Sequence, residues 1–183
     1  PAMPGLKTEV TYTVDSACRM KVDVHYFGME GRPELPLLGL RFATPVPVEQ
    51  VVWVGLSGET YPDRKKGGIF GTYSEAPHIS DYLVPQECSC HMDTHQMTLR
   101  LSNHALTIQK DEKPFAFSAI PYTPQQLSEA FHGDELPVPC RSVVTLCGAM
   151  RGVGGIDSWG ANVEEAYRVS AEKDIGFSIR FWL

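Results

Sequence analysis

The sequence predicts an all-β protein, an antiparallel β-sandwich with one short helix. Apolar and polar residues alternate in most segments, residues that favour turns separate those segments, and one segment alone carries a helix start signal. Alternation with a period of two places one side of a strand in a core and the other in solvent. Many short strands separated by turns are typical of a sandwich. A length of 183 residues fits one domain, so we treat residues 1–183 as a single domain.

The clearest alternating strand spans residues 20–26, where Met20, Val22, Val24 and Tyr26 would share one face. Similar runs lie at residues 8–14, 50–54, 96–101, 105–109, 143–147, 166–169 and 176–183. Turn-forming residues between them are Gly28, Gly31 to Pro33, Ser102, Asn103 and Asp111 to Pro114.

The one predicted helix begins after Thr123. A threonine at the N-cap, Pro124 at the first helical position and Gln126 three residues after the cap form a capping-box pattern. We expect the helix to end near Gly133. Its apolar face would consist of Leu127, Ala130 and Phe131.

Two long segments, residues 55–86 and 151–162, carry no predicted element and are rich in glycine, aromatic and acidic residues. Long loops in a compact sandwich usually bind a ligand or form an interface. We therefore expect any functional site to involve one of them.

Composition excludes two classes of partner. The net charge is −6 and no Lys/Arg cluster occurs, which argues against nucleic acid. Apolar runs are too short to cross a bilayer.

The first residues lack a leader pattern and an initiating Met, so we expect a fragment or a processed chain. Five cysteines, an odd number at irregular spacing, favour reduced thiols and a cytoplasmic location.

The glycine-rich segment at residues 151–160 is the strongest candidate site. Its glycines allow a tight turn, from which Trp159 would project. A fixed indole is a broad platform for the apolar face of a sugar ring, although Trp159 could instead pack the loop onto the sandwich. The glycines fit neither a dinucleotide nor a Walker motif. The residues that would support the turn are Gly154, Gly155, Asp157 and Ser158.

Two further groups of residues could carry chemistry. Cys88, Cys90, His91 and His95 resemble metal ligands, but their spacing fits neither a zinc knuckle nor a zinc finger, so we predict no metal site. The two carboxylates Glu59 and Asp63 could be the acid and nucleophile of a glycosidase. Acids beside an arginine, here Arg64, more often form a structural ion-pair network. No G-x-S-x-G elbow occurs, and we predict no catalytic residue. The predicted structural network consists of Glu59, Tyr61, Asp63 and Arg64.

Four ordered motifs resemble the β-galactosidase small-chain domain, the last domain of large family-2 enzymes and also a separate small subunit. They are VWVGLSGETYPDR at residues 52–64, DYLVPQE at 81–87, FSAIPYTPQQL at 117–127 and GVGGIDSWG at 152–160. Together they extend over nearly the whole chain. The resemblance implies a sandwich of the galactose-mutarotase type, of which this chain would be about the C-terminal two thirds.

The resemblance also implies a function. Family enzymes hydrolyse terminal β-D-galactose residues, as in lactose, with retention, using two glutamates of a (β/α)₈ barrel that is absent here. Mg²⁺ and Na⁺ would bind in that catalytic region, with no cofactor in this fragment. Trp159 would stack on the galactoside substrate at the mouth of the active site. The expected partners are the barrel domain or a large subunit, within an oligomer.

This sequence departs from the family pattern in three places. The loop at Ser57 and Gly58 is shorter, Ile156 replaces an aspartate, and Cys88 lies in a turn that usually contains Asn and Gly. Two alternatives therefore remain: a stand-alone carbohydrate-binding sandwich, and a structural domain that makes subunit contacts. If other domains are missing, an apolar patch should be exposed where they pack, and the isolated chain could self-associate.

Overall fold

A computed structural model describes residues 6–79 and 88–183, which form two antiparallel β-sheets and one short α-helix. The predicted all-β antiparallel sandwich with one helix is confirmed. The strands are β1 (Lys7–Val14), β2 (Met20–Phe27), β3 (Leu37–Ala43), β4 (Gln50–Leu56), β5 (Phe70–Glu75), β6 (His91–Thr94), β7 (Gln96–Leu101), β8 (His104–Lys110), β9 (Phe115–Ile120), β10 (Val143–Met150) and β11 (Ile175–Trp182), and the helix is α1 (Pro124–Glu129).

The larger sheet has seven strands in the order β1-β2-β11-β8-β7-β4-β5, and the smaller sheet has four in the order β3-β10-β9-β6. Their facing sides form the main apolar core, in which Met97, Leu99, Ile108 and Val144 are fully buried. Among the described residues, no helix is long and apolar enough to cross a membrane.

Strand β2 confirms the predicted alternation. Val22, Val24 and Tyr26 are at most 3% exposed, whereas Lys21 and Asp23 point outward and form an ion pair of 2.9 Å. The predicted strands at 8–14, 50–54, 96–101, 105–109, 143–147 and 176–183 also coincide with observed strands. The period of two therefore identifies strands that have one face in the core and one in solvent.

The predicted strand at residues 166–169 is wrong. Glu165–Tyr167 is a 3₁₀ turn, and the residues that follow it are not part of a strand. The Arg168 side chain donates to the carbonyl of Val163, and the carbonyl of Val169 accepts from Leu35 N. Four alternating residues are too few to distinguish a strand from a half-buried loop.

Four observed strands were not predicted, and for two of them, β9 and β5, the structure gives a physical reason. Strand β9 is buried on both faces, because Phe117 faces the main core while Ala116 and Ile120 pack into other clusters. It therefore shows no alternation. Strand β5 lies inside the segment 55–86 that was predicted to be a loop. It is an edge strand that contains Gly71 and no fully buried residue, so its sequence carries no run of core residues. The other two missed strands are β3 and β6.

The capping box of α1 is confirmed. Thr123 Oγ1 accepts from Gln126 N, and the Gln126 side chain accepts from Thr123 N at 2.9 Å. Leu127 is 1% exposed and packs in one cluster with Ile120. The predicted end at Gly133 is wrong, because α1 ends at Glu129, and the prediction that Phe131 packs inward is also wrong, because it is 88% exposed.

We predict that Leu99→Ala lowers the free energy of unfolding by about 2–5 kcal/mol, because it opens a cavity in the middle of the larger sheet. Leu99 has no exposed surface, whereas Leu183 is 92% exposed. The same substitution at Leu183 should change stability by less than about 0.5 kcal/mol. Urea denaturation of both variants measures the difference, and equal losses would contradict this description of the core.

Candidate functional site

Residues 151–162, here called the Trp159 loop, follow β10 and contain no strand or helix, as predicted. Two backbone hydrogen bonds fix the start of the loop. Arg151 N donates to Pro36 O and Gly152 N donates to Tyr167 O, each at 2.9 Å. The Arg151 side chain also donates to Asn162 Oδ1 at 2.6 Å. The two ends of the loop are thereby held together.

Asp63 holds the middle of the Trp159 loop. One carboxylate oxygen accepts from Val153 N at 3.0 Å and the other from Gly154 N at 2.8 Å. The Arg64 guanidinium donates to the carbonyl of Gly154 and lies 3.5 Å from the Asp63 carboxylate. The Asp63 side chain is 6% exposed. Its burial raises the pKa, but the backbone hydrogen bonds from Gly154 and Val153 outweigh that effect and leave the pKa below 3.8.

Two glycines make this arrangement sterically possible. A Cβ on Gly152 would lie 2.6 Å from the carboxyl carbon of Asp63, closer than van der Waals contact allows. Gly154 has φ of +70°, in the left-handed region, and a Cβ there would approach the Val163 side chain at 3.1 Å. The approach of Asp63 to the loop backbone therefore requires the glycine pattern of the sequence.

The tip of the loop presents Trp159 to solvent. Asp157 Oδ1 accepts from Trp159 N at 2.9 Å and from Ala161 N at 3.1 Å, which closes the turn in the way that aspartate commonly does. Trp159 is 93% exposed, and Ser158 and Ile156 are also exposed. The alternative in which Trp159 packs the loop onto the sandwich is therefore wrong for this structure.

The predicted network of residues 59–64 divides into two separate clusters. Glu59 Oε1 accepts from Tyr61 OH and from Ser89 N, each at 2.9 Å, so it faces the Cys88–Cys90 segment and not the Trp159 loop. Burial, the neighbouring Cys90 and the hydrogen bond to Glu59 raise the pKa of Tyr61. Of these four residues, Asp63 and Arg64 are the ones whose side chains form hydrogen bonds to the Trp159 loop within the described part of the chain.

His91 has a structural role that the sequence did not indicate. Its buried ring packs against the rings of Trp53 and Phe117, with centroids 4.3 and 4.8 Å away. Nδ1 faces Gly58 O at 3.1 Å and Nε2 faces the Glu75 carboxylate at 2.9 Å. Both nitrogens thus face acceptors, so both bonds form together only when this His–Glu pair carries an additional proton.

Burial alone would raise the pKa of the Glu75 carboxyl. The hydrogen bond to His91 and the His91 charge have a larger opposite effect, so the pKa is lowered. Together with the Gly58 contact, this pair fixes the loop that follows β4.

In residues 6–79 and 88–183, no three His, Cys, Asp or Glu side chains come together in a group that could hold a metal ion. No disulfide joins Cys18, Cys88, Cys90, Cys140 or Cys147.

A cleft of about 270 Å³ lies beside the Trp159 loop. Charged, aromatic and aliphatic residues line it. The lining residues are Asp63, Arg64, Lys66, Gly154, Ile156, Glu164 and Tyr167. The Trp159 loop contributes Gly154 and Ile156 to this cleft, whereas Trp159 is not among its lining residues.

Comparison with known proteins identifies the family. The family model for the β-galactosidase small chain matches residues 1–181. The chain belongs to the β-galactosidase small-chain family. The motif at residues 81–87 that contributed to the resemblance lies outside the described residues, whereas the other three motifs lie within them.

Named relatives agree with this family. The chain is 45% identical to the β-galactosidase small subunit of Latilactobacillus sakei over 95% of its own length and 58% of that protein. It is 34% identical to β-galactosidase BgaC of Bifidobacterium adolescentis, covering 97% of this chain and 18% of the relative. A Streptococcus thermophilus β-galactosidase is 32% identical, over 93% of this chain and 17% of that enzyme. The chain thus spans little more than half of the small subunit.

We predict that Gly152→Ala destabilises the Trp159 loop, because the new methyl group would push Asp63 away from Val153 N and Gly154 N. Loss of these charge-assisted bonds should cost about 1.5–3 kcal/mol. Gly133→Ala is the matched control, since a Cβ there meets nothing within 4 Å. Urea denaturation and amide exchange of residues 151–162 measure both variants. A stable Gly152→Ala protein with a protected loop would contradict the steric argument.

The lowered pKa of Asp63 predicts a specific pH dependence. Its stabilising contribution should be complete above 3.8, the ordinary value that applies to the unfolded chain, and should be lost as the pH falls through the lower pKa of the folded state. Asp63→Asn removes the titrating group and keeps the shape. The stability difference between wild type and Asp63→Asn should therefore decrease below pH 3.8. A difference that stays constant with pH would show that the Asp63 charge is unimportant.

Proposed function

We propose that this chain is a non-catalytic part of a β-galactosidase and that it forms one wall of the galactoside site, with Trp159 stacking on the sugar. The observation that carries the proposal is that the Trp159 indole is 93% exposed on a loop whose backbone is held at three points. Stacking of a tryptophan side chain on a ligand costs little rotamer entropy. Family membership indicates the ligand class.

The hydrogen-bonded support of the loop is consistent with a binding role. Asp63, Arg64 and Asp157 accept or donate four hydrogen bonds to loop backbone atoms between Val153 and Trp159. A loop held in this way needs little ordering when a ligand arrives, and preorganisation of this kind increases affinity. The cleft that Gly154 and Ile156 of the same loop line, together with Lys66, Glu164 and Tyr167, would offer polar groups to further hydroxyl groups of the ligand.

The proposal assigns the chemistry to the rest of the enzyme. A carboxylate pair of a barrel domain or large subunit would carry out retaining hydrolysis of terminal β-galactosides such as lactose. This chain would orient the sugar relative to that pair. The names of the relatives, which include a β-galactosidase small subunit, support a larger partner of this kind. Cytoplasmic location and assembly into an oligomer are part of the same proposal.

We predict that Trp159→Ala in the assembled enzyme lowers kcat/KM for lactose about tenfold or more, mainly through KM, because the stacking surface is lost. Trp159→Tyr should retain part of the activity. Phe131→Ala is the matched control, since Phe131 is an aromatic side chain with 88% exposure outside the loop. Steady-state kinetics of the three variants measure the effect. Unchanged kinetics for Trp159→Ala would disprove a role in sugar binding.

Two other outcomes would redirect the assignment. If Trp159→Ala reduced assembly with the large subunit while the assembled fraction kept normal KM, Trp159 would make a subunit contact. If galactose changed the indole fluorescence of this chain alone, the chain would be an independent carbohydrate-binding sandwich. We expect no such change, because one wall buries too little of a sugar for strong binding.

A further inference from the structure

The cleft of about 270 Å³ beside the Trp159 loop is lined by polar side chains that the fold does not use. Lys66 and Glu164 are exposed, and Tyr167 is half-buried. Within the described part of the chain, the side chains of these three residues form no hydrogen bond or ion pair. The ammonium, carboxylate and phenol groups are therefore available to a ligand in the cleft.

The backbone that carries these groups is held in place by hydrogen bonds. Lys66 follows Lys65, whose Nζ donates to both carboxylate oxygens of Asp93 at 2.9 Å. The carbonyl of Tyr167 accepts from Gly152 N at 2.9 Å, at the start of the Trp159 loop. A site whose backbone is already ordered loses less entropy when a ligand binds. The unpaired side chains thus extend from a fixed frame.

The charges that line the cleft cancel, and this balance indicates a neutral ligand. Arg64 and Lys66 are positive, whereas Asp63 and Glu164 are negative. A phosphate group would meet carboxylates and a metal ion would meet cationic side chains, so neither gains from the whole set. Hydroxyl groups both donate and accept, and can therefore bond to a carboxylate, an ammonium group and a phenol at once. The ligand class that fits is a neutral compound with several hydroxyl groups.

Size and apolar surface narrow this class to a sugar residue. Ligand pockets commonly measure about 300–1,000 Å³, and this cleft, at about 270 Å³, lies just below that range. It therefore has room for one sugar residue and not for a chain. Ile156, which is 57% exposed, and the aromatic ring of Tyr167 supply apolar surface for the C–H groups of a sugar ring.

The cleft and the exposed indole lie within reach of a single oligosaccharide. Ile156 lines the cleft and precedes Trp159 by three residues. Three residues span at most about 11 Å even when fully extended, which limits the separation of the two Cα atoms. The turn closed by Asp157, which accepts from Trp159 N and Ala161 N, holds the two positions in one fixed loop. A sugar chain that stacks on the indole can therefore continue into the cleft.

We propose that this cleft binds the third sugar residue of a neutral galacto-oligosaccharide, whose first two residues lie between the catalytic carboxylates and the Trp159 indole. Lys66 donates to one hydroxyl oxygen of that residue, and Glu164 accepts from another hydroxyl group. The inference rests on the proposed function and extends it to a substrate class, namely oligosaccharides of three or more residues that end in β-galactose.

The test compares two substrates of the assembled enzyme, lactose and the trisaccharide 4′-galactosyllactose. Initial rates of substrate disappearance, followed by chromatography, give kcat/KM for each. The ratio of kcat/KM for the trisaccharide to that for lactose measures what the third residue contributes. Lys66→Met should lower this ratio about tenfold or more, because a hydrogen bond from a charged group is lost. Tyr167→Phe removes only a hydroxyl group and should lower the ratio about threefold.

Lys113→Met is the matched control, since Lys113 is an exposed lysine that does not line this cleft. It should change the ratio less than twofold, and circular dichroism checks that all variants fold. An unchanged ratio in both Lys66→Met and Tyr167→Phe, or an equal loss in Lys113→Met, would overturn the inference. Trp159→Ala tests the proposed function separately, because it should lower kcat/KM for lactose whether or not the cleft binds a third residue.

Discussion

The carboxylate of Asp63 accepts hydrogen bonds from Val153 N and Gly154 N and so joins the loop after β4 to the loop after β10. A buried carboxylate must have its oxygens hydrogen-bonded, and here the donors are backbone groups whose positions cannot change without moving the loop. The exposure of Trp159 depends on this contact, because the same backbone leads through Gly155 to the turn at Asp157. Sugar stacking would thus depend on a residue about ninety positions earlier in the chain.

The glycines and Asp63 act as one structural unit. Asp63 needs Gly152 because any larger residue would displace its carboxylate, and Gly154 adopts a backbone conformation that other residues rarely adopt. His91 also fixes this region, because its two ring nitrogens face Gly58 O and the Glu75 carboxylate. The loop after β4 is thus held near its start, at Gly58, and in its middle, at Asp63. Polar groups that are hydrogen-bonded in this way hold these loops in place.

The Trp159 loop and strand β1 lie at opposite ends of the larger sheet. The loop is supported by Asp63, which lies between β4 and β5, whereas β1 is exposed along its whole length at the other end of that sheet. Substitutions in β1 and in the Trp159 loop therefore affect separate ends of the molecule.

The sequence by itself determined the sandwich class, most strands, the capping box of α1 and the turn that carries Trp159, because each depends on local alternation or on adjacent residues. It missed β9, whose two buried faces hide the alternation, and it misplaced Phe131. Only the tertiary structure decided that Asp63, and not Glu59, holds the Trp159 loop. Contacts between residues ninety positions apart depend on how strands pair, and no local pattern records that pairing.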